Sequence, residues 1–494
     1  MEQKQTPLLD AVKDFIATKP AYFRIPGHRL ERGISPRWTD SVGMKLFAYD
    51  VTETPLTDDL HSPEGAIDEA QKLLAALYGA DQSFFLVNGS TCGNEAMILS
   101  AALEGEKIFV ARNAHKSAMM GLILSGAEPV YVMPEVLPAW GIQGELTAAS
   151  VQKAFEANPD CKALFLVSPS YYGVCSDLAA IAEVCHAHGA LLLVDEAHGG
   201  HLYFHDGLPT GALDAGADFC VQSMHKVTGA LTQSSVLHCK DHGVGSAVFE
   251  RIAQNLHLVQ STSPSYLLMT SLDCARYELA LHGTEMVEKA LALASYARER
   301  IQEIAGFRCM EGAQFDRTRL VISACELGLT GYMLEKLLYE KYAVNMELAD
   351  DKNVLAIVTY ANEQEDLDRL VAACADISHT CERRVPYNMR ASTQRSSALQ
   401  KNHEYPPFPQ PPQQILTPRK AYFSNTGKVR WQEAAGQVSG QVIAPYPPGI
   451  PVIYPGEQIS QEAWDYIECF RREGRHIHGA GKDGRLDFVK IVAL

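Results

Sequence analysis

The sequence predicts an α/β protein in which a parallel or mixed sheet is covered by helices on both sides. Short apolar runs alternate with helical patterns through the first half of the chain, as they do in sheets built from βαβ units. Residues 190–194 (ALLLV) are apolar at every position, which is typical of a strand buried on both faces. The runs lie at 84–87, 107–111, 129–132, 163–167, 190–194, 219–223 and 235–238, with helical stretches such as 66–78 and 179–188 between them.

Smaller units are expected on either side of that sheet. Leu8, Val12 and Phe15 fall on one face of a helix near the N-terminus, which predicts a short packing arm. A chain of 494 residues is long enough for about three domains. The predicted units are an N-terminal arm at 1–30, a large domain at 31–300 that ends in a long helix, a small α+β domain at 301–383, a proline-rich linker at 384–418 and a C-terminal domain at 419–494.

The stretch SMHK that ends at Lys226 carries the strongest chemical signal. It follows the apolar run at 219–223 and precedes a loop that contains glycine. An amine becomes a nucleophile at neutral pH when desolvation or a nearby cation lowers its pKa, so a lysine at the end of a buried strand suits a Schiff base. Ser223 and His225 beside it are suited to bind a phosphate. A solvated lysine after a strand is the alternative interpretation.

Asp195 supplies a second signal, in the stretch VDEAHG at 194–199. It stands at the carboxyl end of the predicted strand, where open α/β sheets place their ligand chemistry. A carboxylate there can hold the N–H of a pyridinium ring, and pyridoxal phosphate enzymes pair such an acid with a Schiff-base lysine. The alternative for Asp195 alone is the N-cap of a helix.

Two further motifs follow predicted strands. The turn NGSTCGN at 88–94 joins a strand to a helix, and free N–H groups at such a helix start favour an anion. It matches neither of the glycine-rich nucleotide loops. His115 follows the strand at 107–111, where its flat ring is suited to stack on a cofactor. The alternative for the turn is a helix cap. The alternative for His115 is a loop histidine whose hydrogen bonds are satisfied within the protein.

Together these motifs resemble the bacterial pyridoxal-phosphate-dependent ornithine/lysine/arginine decarboxylases. The resemblance continues in FRIPGH at 23–28, DDLHSPEG at 58–65 and YPPGIPVIYPGE at 446–457, and so covers most of the chain. It implies a fold-type I large domain, like that of aspartate aminotransferase, with a small α+β domain and a C-terminal domain. The cofactor motifs begin near residue 88, so we expect a short form without the N-terminal wing domain, assembled as a homodimer or a small multiple of a dimer.

The resemblance also implies the roles of individual residues. Lys226 would form the Schiff base with the cofactor, Asp195 would pair with the pyridine nitrogen and His115 would stack on the ring. Ser263, in the loop at 261–266, is the candidate for reaching a neighbouring subunit's phosphate group. The phosphate would be held by Ser90, Thr91, Ser223 and His225, and Ala197 and His198 would lie beside the cofactor.

The expected reaction is α-decarboxylation of a basic L-amino acid. Short members of the family are often biosynthetic arginine decarboxylases, which favours conversion of arginine to agmatine in polyamine biosynthesis. Lysine and ornithine stay open as substrates. An aminotransferase or another lyase of the same fold, and a non-enzymatic protein that binds pyridoxal phosphate, stay open as functions. The carboxylates of Glu457, Asp59 and Glu64 are the candidates for contacting the substrate's distal cation.

Composition excludes several other classes of function. A net charge of −16 argues against a nucleic-acid surface, which needs a basic patch. No stretch approaches the roughly 20 apolar residues that span a bilayer, and the N-terminus lacks the pattern of a secretory signal. The 12 cysteines are scattered without a C-x-x-C pair, as in a reducing compartment, so we expect a cytoplasmic enzyme. His198, His201 and His205 have spacings that a metal can use, but they are not expected to converge and no metal is predicted.

Overall fold

A seven-stranded mixed sheet forms the centre of the computed structural model, which describes residues 2–243, 246–384, 406, 408–446, 449–481 and 484–493. All seven apolar runs of the sequence are strands of this one sheet, which confirms that prediction. The strands are β1 (Gln82–Leu86), β2 (Lys107–Ala111), β3 (Glu128–Val132), β6 (Ala163–Val167), β7 (Leu191–Asp195), β8 (Phe219–Gln222) and β9 (Ser235–Cys239), with a small hairpin of β4 (Val136–Leu137) and β5 (Ile142–Gln143) between β3 and β6.

The order of the strands places several carboxyl ends side by side. The sheet runs β1-β9-β8-β7-β6-β2-β3. The five strands from β8 to β3 are parallel, whereas β9 is antiparallel to both β8 and β1. The loops after β2, β6, β7 and β8 therefore open at the same edge of the sheet, which is where ligands bind in open α/β folds.

Helices bury both faces of the sheet. In β7, Leu192 and Val194 belong to one apolar core while Leu191 and Leu193 belong to the other. Alternate side chains of a strand point to opposite faces, so the continuous apolar run reflects burial on both sides. The helices are α1 (Pro7–Ala17), α2 (Pro36–Val42), α3 (Lys45–Ala48), α4 (Ala66–Tyr78), α5 (Gly89–Ala101), α6 (Lys116–Ser125), α7 (Ala148–Ala157), α8 (Leu178–Ala187), α9 (Met224–Val227), α10 (Ser246–Val259) and α11 (Tyr266–Gln302).

The N-terminal arm is anchored to the long helix α11. The Asp273 carboxylate accepts a hydrogen bond from the backbone N–H of Leu8 at 3.0 Å. Arg276 donates to the backbone carbonyl of Gln3 at 2.7 Å and pairs with Asp273 at 2.9 Å. Leu8, Val12 and Phe15 are buried, as the amphipathic pattern predicts.

A four-stranded antiparallel sheet follows α11. Its order is β10-β11-β13-β12, and α12 and α13 pack against it around a third apolar core. The sequence predicts an α+β arrangement here, and these elements confirm it. They are β10 (Arg308–Cys309), β11 (Arg319–Ser323), α12 (Gly331–Tyr342), β12 (Leu348–Ala349), β13 (Asn353–Ile357) and α13 (Gln364–Arg384).

The last unit is built around Trp431, which is fully buried in its own apolar core. Most of the predicted proline-rich linker lies outside the described residues, and the division of the chain at the stated domain boundaries stays a prediction. In the part of the chain described here, no helix is both long and apolar enough to cross a membrane. The elements of this unit are α14 (Pro418–Phe423), β14 (Thr426–Arg430), β15 (Ala444–Pro445), α15 (Gln461–Arg472), β16 (Ile477–His478) and β17 (Phe488–Val492).

Candidate active site

Lys226 lies in the single helical turn α9, directly beyond β8. Ser223 is the N-cap of that turn, and the Lys226 backbone N–H donates to its carbonyl at 3.0 Å. The Lys226 amine contacts His198, with 3.0 Å between Nζ and Nε2. Burial lowers the pKa of Lys226; the Asp195 carboxylate opposes this effect and the Arg319 guanidinium adds to it. Because the neutral amine is the nucleophilic form, this position suits covalent attachment of a carbonyl group.

Asp195 is the last residue of β7 and is only 3% exposed. Its Oδ2 accepts a hydrogen bond from Nδ2 of Asn94 at 2.7 Å. Its Oδ1 accepts from the backbone N–H of Ala197 at 3.1 Å. Both donors are neutral, so neither of them is a counter-charge and the carboxylate is available to a cationic group.

A chain of hydrogen bonds connects Asp195 with His115. Nδ2 of Asn94 also donates to the Ser117 hydroxyl at 2.9 Å, and that hydroxyl lies 2.9 Å from Nδ1 of His115. His115 is the N-cap of α6, and its Nδ1 accepts from the Ser117 backbone N–H at 3.3 Å. Since Nδ1 is an acceptor in both contacts, the neutral ring carries its proton on Nε2. Desolvation by the surrounding chain lowers the pKa of His115 and favours that neutral form, although the ring is exposed.

Three of the four predicted phosphate-binding residues, Ser90, Thr91 and Ser223, lie at or against the start of α5. This helix begins at Gly89, and Ser90 and Thr91 are half-buried in its first turn. The Ser223 hydroxyl donates to the Ser90 hydroxyl at 2.9 Å, which brings the start of α9 against the start of α5. Nδ1 of His225 lies 2.9 Å from the Ser234 carbonyl and donates to it. A helix N-terminus with serine and threonine hydroxyls is a suitable anion site.

His198 lies between Lys226 and the small antiparallel sheet. Its ring is buried, burial lowers its pKa well below the usual range, and the ring of Tyr171 packs against it at 4.5 Å between centroids. Its Nδ1 atom has no hydrogen-bond partner among the described residues. Arg319 of β11 donates to the His198 backbone carbonyl at 3.0 Å. The small sheet thereby fixes the loop that carries His198.

Two residues at the site are absent from the sequence predictions. The amine of Lys226 lies 5.7 Å from the centroid of the Tyr171 ring. The Tyr171 hydroxyl donates to the carboxylate of Glu347, which is exposed and acts electrostatically on Lys226. Tyr171 follows β6, so its place at the carboxyl edge of a parallel sheet was a usable signal. Glu347 comes from the small sheet, and no local pattern marks it.

Glu457 is not at this site. Its side chain is fully buried, and its oxygens lie 2.9 Å from both terminal nitrogens of the Arg112 guanidinium. Oε2 also accepts from the backbone N–H of Tyr454 at 2.7 Å. A contact with a substrate cation would require this buried ion pair to open. The geometry therefore favours a structural role over the predicted contact with the substrate.

The other predicted substrate contacts lie on the outside of this chain. The carboxylate of Asp58 accepts backbone N–H groups from Asp59, Glu64 and Gly65, which orders the loop before α4. The side chain of Asp59 is half-buried and that of Glu64 is exposed. Ser263 is exposed on its loop. Contacts of these residues across a subunit interface stay predictions.

The three histidines with metal-like spacing point to separate partners. His198 contacts Lys226, while His201 pairs with Asp316 at 3.2 Å. His205 pairs with Glu288. Within the described ranges, no group of three histidine, cysteine or acidic residues is arranged to hold a metal ion.

The residues brought together here fit pyridoxal phosphate. They provide a lysine amine with a lowered pKa, a buried carboxylate whose hydrogen-bond donors are neutral, and a helix N-terminus with two serine hydroxyls. These are the three chemical groups that bind the aldehyde carbon, the ring nitrogen and the phosphate of that cofactor. The roles of the individual residues are assigned from the chemical groups of their side chains.

Comparison with known proteins extends this assignment to the whole chain. Residues 6–325 match the family model described as "Orn/Lys/Arg decarboxylase, major domain", and residues 401–483 match the one for its C-terminal domain. The arginine decarboxylase of Bacillus subtilis is 36% identical, over 100% of this chain and 99% of its own length. That of Bacillus anthracis is 35% identical, over 100% of this chain and 98% of its own.

Solved structures agree on the fold. The lysine decarboxylase LdcF of Francisella novicida superposes with a TM-score of 0.83 at 20% identity, covering 99% of this chain and 81% of its own. An alanine–glyoxylate aminotransferase from Nostoc superposes with a TM-score of 0.51 at 19% identity, covering 63% of this chain and 86% of its own. The expected fold-type I architecture is thereby confirmed. The chain is a pyridoxal-phosphate-dependent amino-acid decarboxylase and belongs to the Orn/Lys/Arg decarboxylase family.

Proposed function

We propose that this enzyme decarboxylates L-arginine to agmatine and carbon dioxide. The observation that carries the proposal is the similarity to arginine decarboxylases over essentially the full length of the chain, including the C-terminal unit. Similarity that extends over every unit supports a shared substrate better than similarity confined to the cofactor site, which many reactions use.

Each cofactor-site residue has a distinct task in this reaction. Pyridoxal phosphate, when bound, withdraws electrons from the bonds of the substrate's Cα atom. The Lys226 amine would hold the cofactor through its aldehyde carbon. Asp195 would hold the protonated ring nitrogen, and Asn94 fixes the carboxylate in place. His115 would pack on the ring, where its neutral form avoids a second cation beside the protonated nitrogen.

The anionic end of the cofactor is assigned to the start of α5. Ser90, Thr91 and Ser223 would donate their hydroxyls to the phosphate, together with the free backbone N–H groups of the helix. His225 stands beside them. Its bond to the Ser234 carbonyl fixes its ring and leaves Nε2 for a further contact. Ala197 and His198 would complete the wall of the site, with the His198 ring next to Lys226.

Glu347 is our candidate for the substrate's distal cation. Its carboxylate is exposed, is held by the Tyr171 hydroxyl and acts on Lys226 through space. A guanidinium is planar and binds a carboxylate through two parallel hydrogen bonds, so a carboxylate with a fixed orientation favours arginine. Asp59 and Glu64 remain candidates only from a neighbouring subunit.

Dimerisation in the cytoplasm completes the proposal, with agmatine serving polyamine biosynthesis. Phe23, Ile25 and Trp38 are all more than half exposed, and large exposed apolar patches mark interaction surfaces. Ser263, which is exposed on its loop, would contribute to a partner's site. All twelve cysteines are free, which is consistent with a reducing compartment. A solution mass near that of one chain, 54.2 kDa, would contradict the dimer.

The substrate assignment is tested by incubating the loaded enzyme separately with arginine, lysine and ornithine and identifying each amine. Agmatine should form fastest by kcat/KM, with one carbon dioxide released for each amine. Cadaverine or putrescine as the dominant product would overturn the choice of arginine. A keto acid formed without carbon dioxide would overturn decarboxylation itself.

A further inference from the structure

Arg112 and His115 share one short turn between β2 and α6. The Arg112 backbone N–H donates to the Val132 carbonyl at 2.9 Å, which continues the β2–β3 ladder by one residue. The Ala114 N–H donates to the Ala111 carbonyl at 2.9 Å and closes the turn. His115 then caps α6. A displacement of Arg112 therefore moves the backbone that carries His115.

The Arg112 side chain is bound entirely by the C-terminal unit and β3. Its guanidinium is fully buried beside the stacked rings of Tyr131 and Tyr454, at 4.6 and 4.2 Å from their centroids. Its two terminal nitrogens pair with the two carboxylate oxygens of Glu457, and one also donates to the Val452 carbonyl at 2.8 Å. Only the contact between Nη2 and Oε2 is a hydrogen bond, so one charge-assisted hydrogen bond and one ionic contact hold the two side chains together.

The same C-terminal unit binds the other end of α6. Arg419 of α14 donates to the backbone carbonyls of Ile123 and Leu124, at 3.1 and 2.6 Å. These carbonyls belong to the last turn of α6, where carbonyl groups lack partners within the helix. The helix that His115 caps is thus held at both ends by residues from beyond position 416.

We propose that Arg112 and Glu457 are positioning residues for the cofactor, through which the C-terminal unit sets the orientation of His115. The inference rests on the proposed function, because it assumes that His115 packs on pyridoxal phosphate. Among the described residues, the one side-chain hydrogen bond of the exposed His115 ring goes to Ser117, so its place depends on the turn below it. The Arg112–Glu457 ion pair is buried, and it holds the turn that carries the exposed His115 ring.

A double-mutant cycle tests the coupling between Glu457 and His115. The dissociation constant of pyridoxal phosphate is measured on the apoenzyme by titration for Glu457→Gln, His115→Ala and the double variant. We expect Glu457→Gln to weaken binding by about tenfold or more when His115 is present, as for loss of a charge-assisted hydrogen bond. In the His115→Ala background the same change should weaken binding by less than about twofold, because coupled residues are not additive.

Glu468→Gln is the matched control. Glu468 is also a buried carboxylate of the C-terminal unit, and it accepts hydrogen bonds from Trp431 and Arg471, away from α6. We expect it to lower the melting temperature without coupling to His115. The inference would be overturned if Glu457→Gln weakened pyridoxal phosphate binding by the same factor in the wild-type and His115→Ala backgrounds. It would also be overturned if Glu468→Gln showed as much coupling to His115 as Glu457→Gln does.

If Glu457→Gln does not fold, Arg112→Lys takes its place in the double-mutant cycle with His115→Ala. It keeps the charge but loses the planar guanidinium, and it should show the same coupling to His115. Cofactor affinity unchanged by Arg112→Lys would refute the positioning role. Failure of the wild-type protein to bind pyridoxal phosphate would refute the proposed function instead, so the two failures are distinguishable.

Discussion

Replacing Asp195 with asparagine tests the assignment of the cofactor's ring nitrogen to this residue. The two side chains have the same shape, so the change removes one charge and two acceptor positions without opening a cavity. Asp195 now accepts from Asn94 on one oxygen and from the Ala197 backbone on the other. An asparagine amide can turn only one oxygen toward these two donors. Its NH2 group must then face the second donor at hydrogen-bond distance.

The magnitude follows from that geometry. One buried donor is left without an acceptor, which costs about 1–3 kcal/mol of folding stability. In the loaded enzyme, a charge-assisted bond to the protonated ring nitrogen is also lost, which is worth about 1.5–3 kcal/mol. If that bond acts fully in the rate-limiting step, kcat falls by about 10- to 100-fold, because 1.36 kcal/mol corresponds to a factor of ten. Cofactor affinity should fall together with kcat.

Asp218→Asn is the matched control for Asp195→Asn. Asp218 is 1% exposed, precedes β8 and accepts the Leu192 backbone N–H at 2.7 Å, but it contacts none of the proposed cofactor residues. Thermal unfolding and steady-state rates are measured for both variants. Both should lose stability, and only Asp195→Asn should lose cofactor affinity and kcat. Wild-type kcat in Asp195→Asn, or an equal loss of kcat in Asp218→Asn, would refute the assignment.

Two further predictions concern substrate binding and pH. Glu347→Gln should raise the KM for arginine about tenfold or more, because a charge-assisted bond to the guanidinium is lost. An unaltered KM would exclude Glu347 from the substrate site. Burial lowers the pKa of His238 to about 3, against 6.5 in an unfolded chain, so its neutral ring contributes stability above pH 6.5 that is lost as the pH falls. Between pH 7.5 and 5.5 the wild type should therefore lose about 1 kcal/mol more stability in urea unfolding than His238→Gln, and parallel pH profiles for the two proteins would contradict this.

The sheet was predictable because its signal is local. Most buried strands are apolar runs, and each run ends within one residue of the end of its strand. The predicted runs start late at both edges of the sheet, where β1 begins at Gln82 and β3 begins at Glu128. Edge strands are less buried, so they include polar residues, and a search for apolar residues misses their first positions.

The cofactor site was predictable to the extent that it lies at the ends of these strands. Lys226 and Asp195 each follow directly from one strand, and the parallel order of β7 and β8 brings them together. Contacts between distant parts of the chain gave no such signal. Tyr171 and Glu347 are 176 positions apart, and Arg112 and Glu457 are 345 apart.

Glu457 shows why an isolated carboxylate cannot be assigned from its motif. Its position after a rigid Tyr-Pro-Gly turn fits either a substrate contact or a buried ion pair. The two differ only in what lies opposite the carboxylate, and here that is the guanidinium of Arg112. A single sequence does not specify which arginine packs against which acid, because the pairing depends on the docking of two separate units.

Chemical mapping of the cofactor-bearing lysine tests the central claim most directly. The loaded enzyme is reduced with borohydride, which makes the lysine–cofactor bond permanent, and its peptides are analysed by mass spectrometry. The pyridoxyl group should be found on Lys226, the half-buried lysine whose pKa is lowered and whose amine contacts His198. Attachment to another residue, such as the exposed Lys116 beside His115, would contradict the account of this site.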